Sequence, residues 1–290
     1  MTELYRTSGA GNDFLALVEP WAPPTPEVVR AWCARGVSLG ADGVFTIQRT
    51  GDDERAGGAP PTIEMVYWNA DGGEAALCVN ATRCAAQLAF HVGWAEREVT
   101  VRTGAGPFAA KRISAGEIAL EMAPPSESAR AVALDVAGRE IAGWAMTVGV
   151  PHAIVPWDDD LARCPIAELG SPIRRHAQFG APGANANFVH LAGPHDFDIR
   201  TWERGVEAET LACGSGVLAT VATGVSEGKL QLPVRARTKG GFVLTVAGET
   251  VDGGRRIARW TMAGDARVLA RLDTFPGAEG ALPTPLWESP

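Results

Sequence analysis

Two cysteines of this chain stand where thiol chemistry is favoured. Cys78 closes the run Asn69-Ala-Asp-Gly-Gly-Glu-Ala-Ala-Leu-Cys78, and Cys213 closes the run Glu203-Arg-Gly-Val-Glu-Ala-Glu-Thr-Leu-Ala-Cys213. Each follows an apolar, aromatic-containing stretch of strand character, Ile63 to Trp68 and Phe197 to Trp202. Each leads into an Ala-rich run that reads as a helix, Thr82 to Val92 and Val217 to Val225. A cysteine at a loop-to-helix junction faces N–H groups that lack an intrahelical acceptor and the positive end of the helix dipole, so its thiolate is favoured. Two such thiols, in two similar settings, suggest a pair of acid/base groups facing one substrate.

The elements that must position these thiols are mostly short strands. Leu15 to Val18, Gly43 to Ile47, Val99 to Arg102 and Ile118 to Met122 read as strands, and only Pro26 to Arg35 joins the two Ala-rich runs as a helix. Isolated helices between groups of strands predict an α+β architecture with each helix buried against curved sheet. The helix after Cys213 carries no charge before Glu227, which predicts burial nearly all round. Gly51 to Thr62 reads as an exposed insertion and Gly277 to Pro290 as a loosely held tail. The order strand, polar loop, cysteine, helix occurs once in each half, which fits two pseudo-symmetric domains.

Composition narrows the function. The 290 residues, 46% hydrophobic and 21% charged, are enough for two globular domains. A net charge of -8 without any Lys/Arg run argues against a nucleic-acid partner. No apolar run reaches the ~18 residues of a membrane span, and the amino terminus lacks a signal-peptide core, so a cytoplasmic location is expected. Five cysteines without a CxxC pair, and histidines without HExxH or HxH spacing, point away from disulfides and from a metal site. Cys33, Cys84 and Cys164 read as small buried hydrophobes. Cys84, six residues past Cys78, lies about 240° around the same helix and faces elsewhere.

Taken in order, the motifs resemble those of the diaminopimelate epimerase family, the pyridoxal-independent, two-cysteine amino-acid epimerases and racemases. The resemblance runs through Gly9-Ala-Gly-Asn12-Asp13-Phe14, Gly40-Ala-Asp42-Gly43, Asn69-Ala-Asp-Gly, Cys78-x-Asn80-x-x-Arg83-Cys84, Pro151-His152, Asn185-x-x-Phe188, Glu203-Arg204-Gly205, Glu209-Thr210-Leu-Ala-Cys213-Gly214-Ser215-Gly216 and Gly240-Gly241. It implies two similar domains, each a barrel-like mixed sheet around a central helix. One would span residues 1–122, completed by 263–290, and the other residues 123–262. It also implies a homodimer, no cofactor, and a place in lysine and peptidoglycan synthesis.

By the same resemblance, Cys78 and Cys213 are the two bases, with His152 and Glu203 managing their protons. Backbone N–H groups of Val79, Asn80, Gly214 and Ser215 would hold the substrate α-carboxylate, as helix N-termini do. Asn12, Asn69, Asn185 and Arg204 would read its far end, an arginine being suited to a carboxylate. Three departures surround this set. The family's Cys-Gly-Asn-Gly reads Cys78-Val79-Asn80-Ala81, its Gly-Asn-Pro-His reads Gly149-Val150-Pro151-His152, and one extra residue precedes Cys213. Beside epimerisation of LL- to meso-2,6-diaminopimelate, they leave open a racemase of another amino acid and a non-catalytic ligand-binding relative, and the cysteine pair itself leaves open a dithiol redox switch. His91, His176, His190 and His195 match no motif, and Gly9 and Gly11 read as turn glycines.

Overall fold

The computed structural model describes residues 3–20, 22–50, 59–136 and 138–274. Most of the expected insertion and the whole expected tail lie outside these. The chain forms two compact units, one of residues 1–118 and 266–290 and the other of residues 119–265. The strand β8 (Glu117–Met122) crosses their boundary.

In the first unit, β1 (Glu3–Gly9) and β2 (Asn12–Val18) form a hairpin. A short helix, α1 (Pro26–Cys33), then carries the chain to β3 (Gly43–Arg49), parallel to β2. Next come β4 (Thr62–Asn69), the two-residue β5 (Glu74–Ala75), α2 (Val79–His91), β6 (Glu98–Thr103) parallel to β4, and β7 (Gly106–Ser114). The late strand β18 (Arg267–Asp273) pairs with β1. Thr25 caps α1 by accepting from Val28 N, and Pro26 supplies a preset first turn. Its buried Val29 and Trp32 pack on Leu15, Leu17, Val44 and Trp68, one face of the sheet. Strand alternation puts Phe14, Phe45 and Tyr67 on the opposite face. There α2 touches β1, β2, β3, β4, β6, β7 and β18, so the sheet curls around it as a barrel around a central helix.

The second unit repeats this order. Strand β9 (Arg130–Val136) pairs with β10 (Arg139–Val148), which forms a hairpin with β11 (Val150–Pro156). Helix α3 (Ile166–Arg174) leads to β12 (Asn185–Gly193), parallel to β11. Then follow β13 (Asp196–Glu203), β14 (Ala208–Thr210), α4 (Gly214–Ser226), β15 (Val234–Thr238), β16 (Val243–Val251) and β17 (Arg256–Asp265). Helix α4 is the central one here, touching β10, β11, β12, β16 and β17.

The correspondence holds residue by residue. Phe14 lies opposite Gly43 and Phe45 opposite Tyr67, as His152 lies opposite Asn185 and Asn187 opposite Thr201. Trp68 and Trp202 also correspond, each packed in the cluster under its crossover helix. Both central helices have 13 residues. Each begins three residues earlier than its apolar run, because the first turn after each cysteine is helical although it is not apolar throughout. Both are buried along most of their length, so truncating Leu88 or Leu218, each fully buried, costs about 2–5 kcal/mol.

Helix α3 is an element the sequence pattern does not announce. It contains Gly170 and Pro172, both poor helix residues. The glycine is there for packing, since a Cβ at Gly170 would stand 2.6 Å from Trp202. The reading of Gly9 as a turn glycine is likewise corrected. Gly9 ends β1 against α2, where a Cβ would meet the Asn80 carbonyl at 2.8 Å and Cys84 Sγ at 3.0 Å. Gly11 is the turn glycine, with φ of 92°.

Candidate active site

Both cysteines occupy the N-cap of a central helix in nearly the same conformation. Cys78 has φ -132° and ψ 110°, and Cys213 has φ -122° and ψ 104°. No side chain caps either helix, and neither first turn carries an acidic residue. The first-turn amides and the dipole of each helix are thus directed at the cysteine and its surroundings without a competing carboxylate of the same turn.

In the first unit the residues near Cys78 form a chain of hydrogen bonds. Asn12 Nδ2 donates to Asp42 Oδ2 at 3.0 Å, which turns Asn12 Oδ1 toward Asn80 Nδ2 at 2.5 Å. Asn80 Oδ1 accepts from the fully buried Arg83 at 2.6 Å. Asp42 is itself held by Arg35 at 2.8 Å, and Asp13 beside it by Arg6 at 2.7 Å. Asn12 thus braces the first turn of α2, a role its place in the sequence does not reveal. Asn69 ends β4, exposed, and its backbone closes the turn to Gly73. Val79 and Ala81 are both buried in the first turn. Cys78 borders a cavity of about 240 Å³ that Tyr67, Glu74, Thr82 and Arg102 also line.

In the second unit the polar groups converge on Cys213. Asn185 Nδ2 lies 3.9 Å from Cys213 Sγ, and Ser215 Oγ lies 3.5 Å from it. The Asn185 amide is the donor in the first contact, and in the second either the Ser215 hydroxyl or the thiol can donate. Asn185 Oδ1 accepts from the backbone N–H of Arg204 at 2.8 Å, which fixes the way the amide faces. The Arg204 guanidinium makes no hydrogen bond or ion pair among the described residues, so a half-buried cation stands ready for an anion. Glu203, also half-buried, ends β13 and accepts through its carbonyl from Glu207 N at 2.8 Å. The chain turns between Arg204 and Glu207 on its way to Cys213. There Glu207 adopts φ of 56° and is pinned by Arg174 at 2.8 Å and Arg175 at 3.3 Å.

His152 lies on β11, in the unit that also carries Cys213 and Glu203, and is fully buried. Burial pushes its pKa down to about 3, Arg204 lowers it further, and the Val148 backbone opposes the shift. The ring is therefore neutral at ordinary pH. Its Nδ1 lies 3.2 Å from Asn187 Nδ2, the Val148 backbone offers the ring a hydrogen bond, and among the described residues Nε2 is otherwise without a partner. Asn187, fully buried, also donates to the carbonyls of Ala153 (3.0 Å) and Asn185 (3.3 Å) and accepts from Thr201 Oγ1 (3.0 Å). Asn187 and Thr201 escape a reading of motifs because their alternation within strands shows polar residues on a face but not what they meet.

The remaining cysteines and histidines have structural surroundings. Burial pushes the Cys33 thiol up to about 12 and the Cys164 thiol up to about 11. His190 and His195 bond the carbonyls of Trp157 and Pro233, His176 caps a short turn, and His91 packs edgewise on Tyr5. Among the described residues no group of three or more His, Cys, Asp or Glu is placed to hold a metal, and no helix is long and apolar enough to cross a membrane.

Known proteins share both the sequence pattern and the fold. The chain is similar to a diaminopimelate epimerase of Aquifex aeolicus, 32% identical over 84% of this chain and 89% of that protein. One from Burkholderia ambifaria is 34% identical over 89% of this chain and 93% of its own length. Among solved structures, a probable proline racemase from Agrobacterium radiobacter K84 matches with a TM-score of 0.69 at 17% identity, covering 100% of this chain and 98% of that one. A hydroxyproline epimerase from Agrobacterium vitis matches with a TM-score of 0.63 at 19% identity, covering 98% and 96%. At these identities the two structures speak for the α+β fold alone. The family model for diaminopimelate epimerase matches residues 4–127 and 144–266, and the chain belongs to that family.

Proposed function

We propose that this protein is a cofactor-independent isomerase that inverts an amino-acid α-carbon with two thiol bases, converting LL- to meso-2,6-diaminopimelate. The observation that carries the reading is the repeated geometry. In a chain of this family, two cysteines cap two central helices in one conformation, with no carboxylate in either first turn.

In this reading one cysteine is a thiolate and removes the α-proton, becoming a thiol. The other thiol delivers a proton to the opposite face and becomes the thiolate, so protons balance and the roles are exchanged after each turnover. Negative charge that develops beside the α-carboxylate is met by the amides of Val79, Asn80, Gly214 and Ser215. His152 and Glu203 complete the catalytic set. Arg204 and the amides of Asn12, Asn69 and Asn185 receive the far end of the substrate, which in diaminopimelate is a second amino-acid group. The two epimerase-like domains are placed at residues 1–122 with 263–290, and residues 123–262, three or four residues from the bounds of the two compact units. The enzyme works as a cytoplasmic homodimer in lysine and peptidoglycan synthesis, without nucleic-acid or membrane partners.

The test is solvent exchange. In deuterium oxide the protein should wash deuterium into Cα of diaminopimelate while interconverting the LL and meso forms. No exchange with diaminopimelate would overturn the assignment. A second reading, a racemase of another amino acid, is favoured by Val150, an apolar residue where the family places a polar one. Exchange with another amino acid and none with diaminopimelate would establish it.

A further inference from the structure

Each sheet has a break in the strand edge beside its cysteine loop, and the two breaks are closed differently. In the first unit β4 pairs with β6 as far as Glu64 and with β5 from Tyr67, so Met65 and Val66 span a gap along that edge. In the second, β13 pairs with β15 as far as Ile199 and with β14 from Thr201, which leaves Arg200 in the gap. The register makes Val66 the counterpart of Arg200, and Glu74 that of Glu209. In the second unit these two side chains bridge the gap. Arg200 Nε and Nη2 reach the Glu209 carboxylate at 2.6 and 2.8 Å, and its Nη1 binds the carbonyls of Leu161 and Cys164. Two parallel charge-assisted bonds hold such a pair in one geometry. A valine cannot make that bridge, and the exposed Glu74 carboxylate has no hydrogen bond or ion pair among the described residues. The rim differs too. Ala76 and Leu211 correspond, their carbonyls accepting from Ala105 N and Gly240 N, and the alanine covers less.

The cavities follow these closures. Strand alternation puts Glu64 and Val66 on the outer face of the sheet, where Val66 packs toward α1, and Tyr67 on the inner face. The cavity of about 240 Å³ in the first unit is lined by both sets and by Thr82 and Cys78 of the central helix, so it passes through the gap to the N-cap. In the second unit a cavity of about 540 Å³ is lined by Asp198, Arg200 and Arg237, the counterparts of Glu64, Val66 and Arg102, but by no residue of β14 or of the loop to Cys213. Cys78 is half-buried, whereas Cys213 is 6% exposed.

We propose that the gap in the first sheet is a solvent port through which Cys78 exchanges its proton with water. This rests on the two-thiol reading of the proposed function and adds where one of the two bases meets solvent. Each conversion of LL to meso leaves a proton on the sulfur that began as thiolate and none on the other. Before the same direction can be repeated, one S–H must give its proton to water and the other sulfur must take one from water, so protons and charge balance over the return. The port gives Cys78 a route for its share of that exchange, apart from the first-turn amides that hold the α-carboxylate. At about 30 Å³ for each water, about 240 Å³ holds several, with Arg102 and Glu74 as polar partners.

The port can be closed by giving the first unit what the second has. Val66→Arg sets an arginine opposite Glu74, and Ala76→Leu narrows the mouth at an exposed position. Labelling of Cys78 and Cys213 by iodoacetamide in the substrate-free, full-length protein, read by mass spectrometry, reports access whatever the enzyme turns over. Each variant should label Cys78 at least roughly fivefold more slowly than the parent and Cys213 within about twofold of it. Slowing at Cys78 by either variant upholds the port. Unchanged Cys78 labelling in both, or in Ala76→Leu alone if Val66→Arg does not fold, would overturn it, as would a parent whose Cys78 resists the reagent. The proton role is read in kinetics. Closing the port should lower kcat for diaminopimelate at least roughly threefold and leave kcat/KM within about twofold, because the return follows product release. Slower labelling with unchanged kcat would overturn the proton role. Absence of turnover by the parent protein would count against the functional assignment alone and leave the labelling result standing.

Discussion

The same three sheet positions, on the face turned to the cysteine helix, are filled in opposite ways in the two halves. In the first unit they hold Phe14, Phe45 and Tyr67, with Phe14 edge-on to both partners at ring separations of 6.2 and 6.0 Å. In the second they hold His152, Asn187 and Thr201, joined by hydrogen bonds. Backbone, register and central helix are repeated, so the fold does not require either choice. An aromatic cluster supplies buried area through shape, with only the Tyr67 hydroxyl carrying a polar group. A buried polar set is costly unless nearly every group is satisfied, and here Asn187 and Thr201 bond each other while the His152 ring is met by Asn187 and the Val148 backbone. The difference teaches that one half of the repeat backs its cysteine helix with an apolar face and the other with a hydrogen-bonded one, which in the proposed function makes the first a scaffold and the second a reactive environment.

The strongest way to break the comparison is to ask whether the halves differ at the cysteines themselves. They should not. Cys78→Ala and Cys213→Ala should each lower epimerisation about 10³-fold, within the range for loss of a general acid or base, with little change in thermal stability. A variant that keeps parental turnover would show that the matching N-caps are not matched in function.

The next contrast lies one turn into each helix, where Gly216 corresponds to Ala81. Gly216→Ala drives a methyl into the Asn187 amide and should cut kcat by up to about 10²-fold, the scale expected of an active-site displacement near 1 Å. Ala81→Gly, in the scaffold half, should act on stability alone and lower it by about 0.5–1 kcal/mol. Steady-state kinetics beside thermal melts of both variants separates the two outcomes.

A pH titration of stability sharpens the contrast further, because only the second half buries a histidine at these positions. His152 titrates near 3 when folded and near 6.5 when unfolded. Between those values the unfolded chain binds the proton and the native one does not, so stability falls as pH drops from about 6.5 toward 3. The contribution is at most about 1.4 kcal/mol per pH unit, and His152→Gln should flatten that part of the curve relative to the parent in chemical denaturation. Identical slopes would mean that the imidazole is not held neutral by burial.

Much of this was legible in the residues, and the gaps have physical causes. The two cysteine-capped helices announce themselves because a low-charge, Ala-rich run follows each thiol, although the runs understate the helices by one turn. Helix α3 is hidden because Gly170 serves the ring of Trp202, some thirty residues away, and its helical context is invisible locally. Gly9 looks like a turn glycine until α2 is seen to press on it. Asn12 and Asn80 look like two independent ligand groups, and only a fold that closes 68 residues of chain shows that they bind each other. Asn187 is undetected for a similar reason, since its meaning comes from the register of β11 against β12, set by the whole sheet.

The smallest effect tests the comparison at its edge. Val150 opens β11 as Asn12 opens β2, and both are half-buried at the mouth of their hairpins, after Gly149 and Gly11. Asn12 is polar because it has work inside its own unit, bridging Asp42 and Asn80. The corresponding brace in the second unit is different, with Asn185 joining Arg204 to Cys213, so position 150 is released from that duty and is available to set what the substrate meets. Val150→Asn should leave kcat for diaminopimelate within about twofold and lower KM by less than about tenfold, the worth of one added hydrogen bond. If kcat falls instead while KM stays, the side chain at 150 is needed to support the His152 strand, and the apolar residue belongs to the polar unit's packing rather than to substrate selection.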